Sequence, residues 1–374
     1  MIYFDNAATS PIDPEVIISM TKVMKENFGN PSSIHSYGRE ARVIIEDARS
    51  KISSFLNVSP SEIFFTSGGT EAINMILKTC INDLKIENII TSKLEHHAVF
   101  KTLEYLKTRK KFNISYVNYD KSGRIDLDDL KKALKNCPKS LVVLVHANNE
   151  IGNLLPIKKV GELCEEFDSL FFSDTVQTMG KFENNFKKFN LDFATCSAHK
   201  FHGPKGIGFA YINGEIKINP MIFGGGQEQN MRSGTENIYG IAGMAKAFEI
   251  AYHDMKKTQN YLNGLKLYMI SELKKNIPSI KFNGECETAG LPNIINASFP
   301  DNEKAEMLMM NLDISGIAVS GGSACASGTT KASHVLNAID PDNTHPTIRF
   351  SFSKFNTKDE IDKCVSVILK VLQR

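Results

Sequence analysis

The chain has 374 residues, 42% of them apolar and 23% charged, the make-up of a folded globular protein. Its 44 basic and 42 acidic residues leave a formal charge of only +2, and no block of like charge tracks a phosphate backbone or an anionic membrane. Nucleic acid and membrane surfaces are therefore not expected as partners. The start has no basic leader before an apolar run, and no apolar segment is long enough to span a bilayer, so the expectation is a cytoplasmic protein with one large and one smaller domain.

From about residue 61, short apolar runs alternate with amphipathic helical stretches, the α/β pattern of a mostly parallel sheet covered on both faces. EIFFTSGG (62–69) enters TEAINMILKTCI, and NIITSK (88–93) enters LEHHAVFKTLEYLK. LVVLVHANNE (141–150) enters a loop, SLFFSD (169–174) enters TVQTMGK, and DFATCSAHK (192–200) enters a glycine-proline turn. Each run closes on small, amide, acidic or imidazole residues. In open α/β sheets ligands bind outside the carboxyl ends of the strands, so the five ends point to one site. Beyond Thr235 a long helical pattern leads into an α+β lobe containing NIINASF, SGGSACASG and TIRFSFS.

The strand ends carry the chemistry. TSGGTEA offers backbone N–H groups and a helix start to a phosphate, or is simply a helix capped by Thr70 with Glu71 following. Asp174 is either a helix cap or a carboxylate for a ring nitrogen. Lys200 follows a buried run, where an unpaired ammonium is costly unless its amine is kept neutral for chemistry. A phosphate cradle, a carboxylate and a lysine on one sheet fit pyridoxal phosphate, with the lysine as Schiff base. His96 is either an ordinary core or surface histidine or a ring to stack on a flat cofactor, and Asn149 and Gln177 are either plain polar strand ends or donors to its phenolic oxygen.

Seven cysteines, scattered and without a C-x-x-C pair, argue against a disulfide framework and a zinc site. His199 and His202 have helical ligand spacing but no companion ligands, and no metal is expected. Cys80, Cys137, Cys164 and Cys196 lie in apolar contexts and read as small buried hydrophobes, while Cys286 and Cys364 have no supporting pattern. Cys325, in the glycine- and serine-rich VSGGSACASGTTKAS, reads as an exposed nucleophile or as an incidental loop cysteine. Arg349, flanked by apolar strand residues, suits either an amino acid's α-carboxylate or an internal salt bridge.

Taken in order, FDNAATSPIDP, GNPSSIHSYGREA, FTSGGTEAIN, EHHAV, HANNEIG, SDTVQTMGK, SAHKFHGPKGIG, FGGGQEQNMRSGTEN, SGGSACASG and IRFSFS make the chain resemble the cysteine desulfurases, class V pyridoxal phosphate enzymes of the nitrogen-fixation and iron–sulfur-assembly type. The resemblance implies fold type I: a mostly parallel seven-stranded sheet in a large domain, 13–255, with a smaller α+β domain from 1–12 and 256–374. It also implies a homodimer. Gly69, Thr70, Ser197 and His199 would hold the phosphate, with Thr235 reaching that of the neighbouring subunit. His96 would stack on the ring and handle protons, Asn149 and Gln177 would bond its oxygen, and Asp174 its nitrogen. Lys200 would form the Schiff base, Arg349 would clamp the substrate carboxylate beside Asn149, and Cys325 would attack the sulfur.

The implied reaction converts L-cysteine to alanine and leaves a Cys325 persulfide for an iron–sulfur scaffold or sulfur-carrier protein. Another class V activity, such as selenocysteine lyase or aminotransferase, and an inactive cofactor-binding scaffold are the alternatives. Lys331 and Ala332 stand where the family often has Glu-Pro, so the identity of the acceptor does not carry over.

Overall fold

The computed structural model describes residues 1–137, 139–300, 303–321, 333–342 and 344–373. The chain begins with a short strand, β1 (Ile2–Tyr3), then two helices, α1 (Pro14–Glu26) and α2 (Ser36–Leu56). Asp13 starts α1: its Oδ1 accepts the Glu15 N–H at 2.9 Å, with Pro14 at the first helical position, where its missing N–H matters least.

β-Branched and aromatic residues then build the large sheet. β2 (Ile63–Thr66), β3 (Asn88–Thr91), β5 (Leu141–Val143), β6 (Leu170–Ser173) and β7 (Phe193–Ser197) lie within the five expected runs. Two more strands complete it, an edge strand β4 (Asn113–Tyr116) with both end residues exposed, and β8 (Gly208–Ile212), buried throughout. The order is β2-β8-β7-β6-β5-β3-β4, parallel except that β8 runs against β2 and β7. Alternate side chains enter opposite layers: Phe64 packs with Ile73, Ile76 and Leu103 on one face, Phe65 with Ile45, Ile52 and Phe248 on the other.

Gly208 allows the site ends of β2 and β7 to converge. A Cβ there would lie 2.1 Å from the Cys196 oxygen and 2.8 Å from the Gly68 Cα, so a larger residue would push the two strand ends apart.

A second apolar core gathers Ile2, Phe4, Leu265, Met269, Ile295, Phe350, Ile361 and Ile368. Its sheet joins β9 (Lys281–Phe282), β10 (Ile294–Ser298) and β12 (Thr347–Ser351) antiparallel, while β1 pairs in parallel with β11 (Ile317–Ala318). Residues 5–9 pass from this core to the large sheet. Among the described residues no helix is long and apolar enough to cross a membrane. Five of the six described cysteines are buried, but Cys137 is only half-buried, because it caps the exposed helix Leu127–Asn136 instead of packing inside. Cys325 lies outside the described residues.

One buried charge pair ties the loop 223–235 to the large sheet. Both Glu228 oxygens accept from Arg49 at 2.9 Å, and Oε2 also takes the Phe65 N–H at 2.7 Å. Arg49 also pairs with Glu46 at 3.1 Å and donates to the Ile63 carbonyl at 2.6 Å, so Glu228→Ala would leave the buried guanidinium partly paired and the Phe65 N–H without its acceptor, a loss of about 1–3 kcal/mol. The urea midpoint should fall accordingly; an unchanged midpoint would show that the pair does not brace the fold.

Candidate active site

The strand ends meet around a cavity of about 300 Å³. It is lined by Gly69, Thr70, His96, Asn149, Asp174, Gln177, Ser197, His199, Lys200 and Arg349, so the structure brings together every expected site residue except Thr235 and Cys325. Thr235 is exposed and does not line it.

Helix α3 (Gly69–Asn82) begins directly after β2 and aims its first turn at the cavity. The cap position is Gly68, whose φ of +150° disfavours a side chain, and no side chain caps the helix. The alternative of a Thr70 cap fails for that reason: the turn places glycine at the cap and leaves Thr70 exposed inside the helix. Glu71 instead turns outward, taking the Ser67 N–H at 2.8 Å and a forked contact from Arg232. Gly69 N–H donates to Ser197 Oγ at 2.7 Å, and the Ser197 hydroxyl keeps its own proton for a ligand. An uncapped helix start with a hydroxyl beside it is a fitting phosphate site.

Asp174, at the end of β6, is buried. Its Oδ1 accepts from the Val176 N–H at 3.0 Å and from Thr195 Oγ1 at 3.1 Å. The cap-type bond and the cavity position thus coexist. Lys200 follows β7 in a 3-10 turn, and its Nζ donates to the carbonyls of Ala7 at 2.7 Å and Ala8 at 2.8 Å. Gln177 Nε2 donates to the same Ala7 oxygen at 3.0 Å, while its buried Oε1 is without a partner. Gln177 therefore has one donor already engaged, and only its second Nε2 hydrogen is left for a cofactor oxygen.

Burial holds the histidines neutral. The half-buried His96 is lowered mainly by desolvation, against the pull of Asp174, and its Nδ1 accepts the Ala98 N–H at 3.1 Å. The proton of the neutral ring therefore sits on Nε2. His199 is pushed down to about 4, by burial first and by Lys200 next, and bonds Thr9 Oγ1 at 3.1 Å. Lys181, behind Lys200, donates to the carbonyls of Gln177 at 2.9 Å and Lys200 at 3.3 Å; burial draws it down to about 7.

Arg349 comes from β12, in the second lobe. It is buried, donates from Nη1 to the Asn149 carbonyl at 2.9 Å and from Nη2 to Asp5 Oδ1 at 2.8 Å. The internal salt bridge is thus the alternative the structure shows, and it leaves the paired residue on the cavity wall.

Sequence reasoning missed Asp5, Ala7, Ala8, Glu95, His97, Glu150 and His334. Glu150 and the rings of His97 and His334, 4.3 Å apart, add to the cavity wall; Glu150 also accepts from Ser333 Oγ. Glu95, beneath the His96 turn, is raised to about 8 by burial and carries its proton at neutral pH. The sequence offered a side-chain signal only for Glu95, His97 and Glu150, which adjoin His96 and Asn149 in LEHH and NNE. Among the described residues no group of three or more His, Cys, Asp or Glu is arranged to hold a metal.

Pyridoxal 5'-phosphate fits what is present: a helix start without a side-chain cap for its phosphate, a buried carboxylate, an amine, and the second Nε2 hydrogen of Gln177 for its phenolic oxygen. Comparison with known proteins agrees. The aminotransferase class-V family matches residues 2–364. A cysteine desulfurase IscS of Dictyoglomus turgidum is 44% identical over 377 residues, spanning 100% of this chain and 95% of that protein. A solved NifS-like protein, 38% identical, covers 100% of this chain and 99% of its own with a TM-score of 0.91. A structure described as SspA in complex with cysteine is 29% identical, with a TM-score of 0.81 over 96% of this chain and 100% of the other. The architecture is that of the fold-type-I enzymes, whose cofactor is pyridoxal 5'-phosphate. A lysine, a carboxylate and a helix start converging on one cavity, with full-length likeness at this level, place the chain in the class-V aminotransferase family, among the cysteine desulfurases of IscS and NifS-like type.

Proposed function

We propose that the protein removes the sulfur of L-cysteine, releasing L-alanine and holding the sulfur as a persulfide on Cys325. The observation that carries this reading is the single cavity in which Lys200, Asp174, the α3 start and Arg349 face one another. The names of the relatives point the same way, one a cysteine desulfurase and one solved with cysteine.

The α3 amides, Gly69, Thr70, Ser197 and His199 would hold the cofactor phosphate. Asp174 would hold the ring nitrogen, His96 would pack against the ring, and Asn149 and Gln177 would hold its oxygen. Lys200, whose Nζ is held by the Ala7 and Ala8 carbonyls, would be the amine that holds the cofactor covalently. When bound, pyridoxal phosphate supplies an electron sink for the substrate's α-carbon.

The chain's own groups do the rest. Arg349 and Asn149 hold the substrate carboxylate, which aligns the α-hydrogen with Lys200 Nζ as base. His96 keeps its exchangeable proton on Nε2, because Nδ1 is committed to the Ala98 N–H. The Cys325 thiolate attacks the substrate sulfur; the carbon–sulfur bond breaks, its electrons stay with the carbon fragment, and that fragment takes up a proton to leave as alanine. L-cysteine plus the Cys325 thiol thus gives L-alanine plus the Cys325 persulfide, with no outside oxidant.

The sulfur acceptor in this reading is an iron–sulfur scaffold or sulfur-carrier protein, in a reducing cytoplasm that keeps the thiols free. Thr235 serves the phosphate of a second copy, and a homodimer is supported by exposed apolar residues that include Phe28, Ile34 and Phe223. Residues 13–255 form the cofactor-binding domain and 1–12 with 256–374 the smaller one, a division supported by the separate apolar cores.

Cys325→Ala should abolish sulfide and persulfide formation from L-cysteine while the cofactor colour persists; full activity would remove Cys325 from the mechanism. Gly69→Ala places a Cβ 2.8 Å from Val176 Cγ2 and 3.3 Å from Ser197 Oγ, crowding the phosphate cradle. Cofactor affinity, titrated on the stripped protein, should drop by about tenfold or more, about 1.4 kcal/mol. Unchanged affinity would place the phosphate elsewhere.

A further inference from the structure

Arg349 does not wait for substrate as a bare cation. Its side chain is 1% exposed, and one fork nitrogen already touches a carboxylate, Asp5 Oδ1, at 2.8 Å; Asp5 itself keeps 19% of its side chain exposed. The second fork nitrogen is held by the Asn149 carbonyl at 2.9 Å, and the buried Nε–H is without a partner. Residue 5 is placed by its backbone: it bridges Ser351, two positions beyond Arg349 on β12, while Phe4 is fully buried in the second core. The acid is thus fixed at the clamp by the fold.

We propose that Asp5 is a positioning residue that sets how tightly the site holds a carboxylate substrate, an inference that rests on Arg349 being the substrate clamp. Asp5 acts in two ways that oppose each other in binding. Its oxygen orients the guanidinium plane, which favours a productive bidentate grip. Its negative charge offsets that of Arg349, so an arriving α-carboxylate meets a nearly neutral pair and the product carboxylate leaves readily.

The two effects separate by substitution in the cofactor-loaded enzyme. D5N keeps an oxygen acceptor at nearly the same place and removes the charge; D5A removes both. Binding is read as the ligand concentration that half-saturates the cofactor absorbance change, for L-cysteine and for cysteamine, which lacks the carboxylate. In D5N, L-cysteine should half-saturate at about tenfold lower concentration, the scale of one unit charge at partly screened contact distance, with cysteamine shifted less than about twofold. In D5A, kcat for L-cysteine should fall about tenfold, the orientation being lost. L-cysteine binding no tighter in D5N, or both ligands shifting together, would overturn the charge-offset role; D5A matching D5N would overturn the orienting role. R349K separates the underlying reading: an unchanged ratio of L-cysteine to cysteamine affinity there would remove the clamp itself, whatever Asp5 does.

Discussion

Residues 5–9 are held between the two apolar cores, and the geometry of the cavity depends on where that short segment lies. Phe4 anchors it in the second core, and Ser10 ties its far end to the turn after β7, its N–H and its hydroxyl both donating to the His199 carbonyl at 2.9 and 2.8 Å. Between these anchors the segment touches four site residues from three separate elements. Asp5 meets Arg349, the Ala7 carbonyl takes both Gln177 and Lys200, the Ala8 carbonyl takes Lys200, and Thr9 meets His199. A site shared between lobes needs such a strap, because the large sheet alone fixes Lys200 and Asp174 but not Arg349.

Electrostatics in the cavity follow from burial rather than from net charge. His199 and His96 are kept neutral, so the cavity's imidazoles act as hydrogen-bonding groups and not as fixed ions, and Glu95 behind them is kept protonated. The charges that remain are paired or cradled. Arg349 faces Asp5, and Lys200 Nζ sits against two carbonyls, a setting that holds the amine in place. An amine in such a cradle is pre-positioned, and ordering it at the moment of reaction requires little further change.

Much of this was legible in the sequence because the signal was local. A buried strand that closes on Asp174, or on Ser197, His199 and Lys200, breaks its own apolar pattern, and the parallel topology turns five such breaks into one place. What stayed hidden is what has no local signal. The Ala7 and Ala8 carbonyls leave no mark in a side-chain pattern, and Asp5 lies 344 residues from its partner Arg349. The Thr70 cap, one of two readings of TSGGTEA, is undone because the helix takes Gly68, two residues earlier, as its cap. β8 escaped notice because its apolar run follows a glycine-proline turn without a helix between, and it runs against its neighbours. The role of Cys325 stands on the sequence alone.

The central claim is that one amine, Lys200, and one carboxylate, Asp174, grip opposite ends of the same pyridoxal ring. Reduction of the loaded protein with borohydride, followed by digestion and peptide mapping, tests it most directly. The account predicts a pyridoxyl group on Lys200 alone, lost in Lys200→Ala. Recovery of the label on Lys181, the neighbouring amine that burial draws down to about 7, would contradict it.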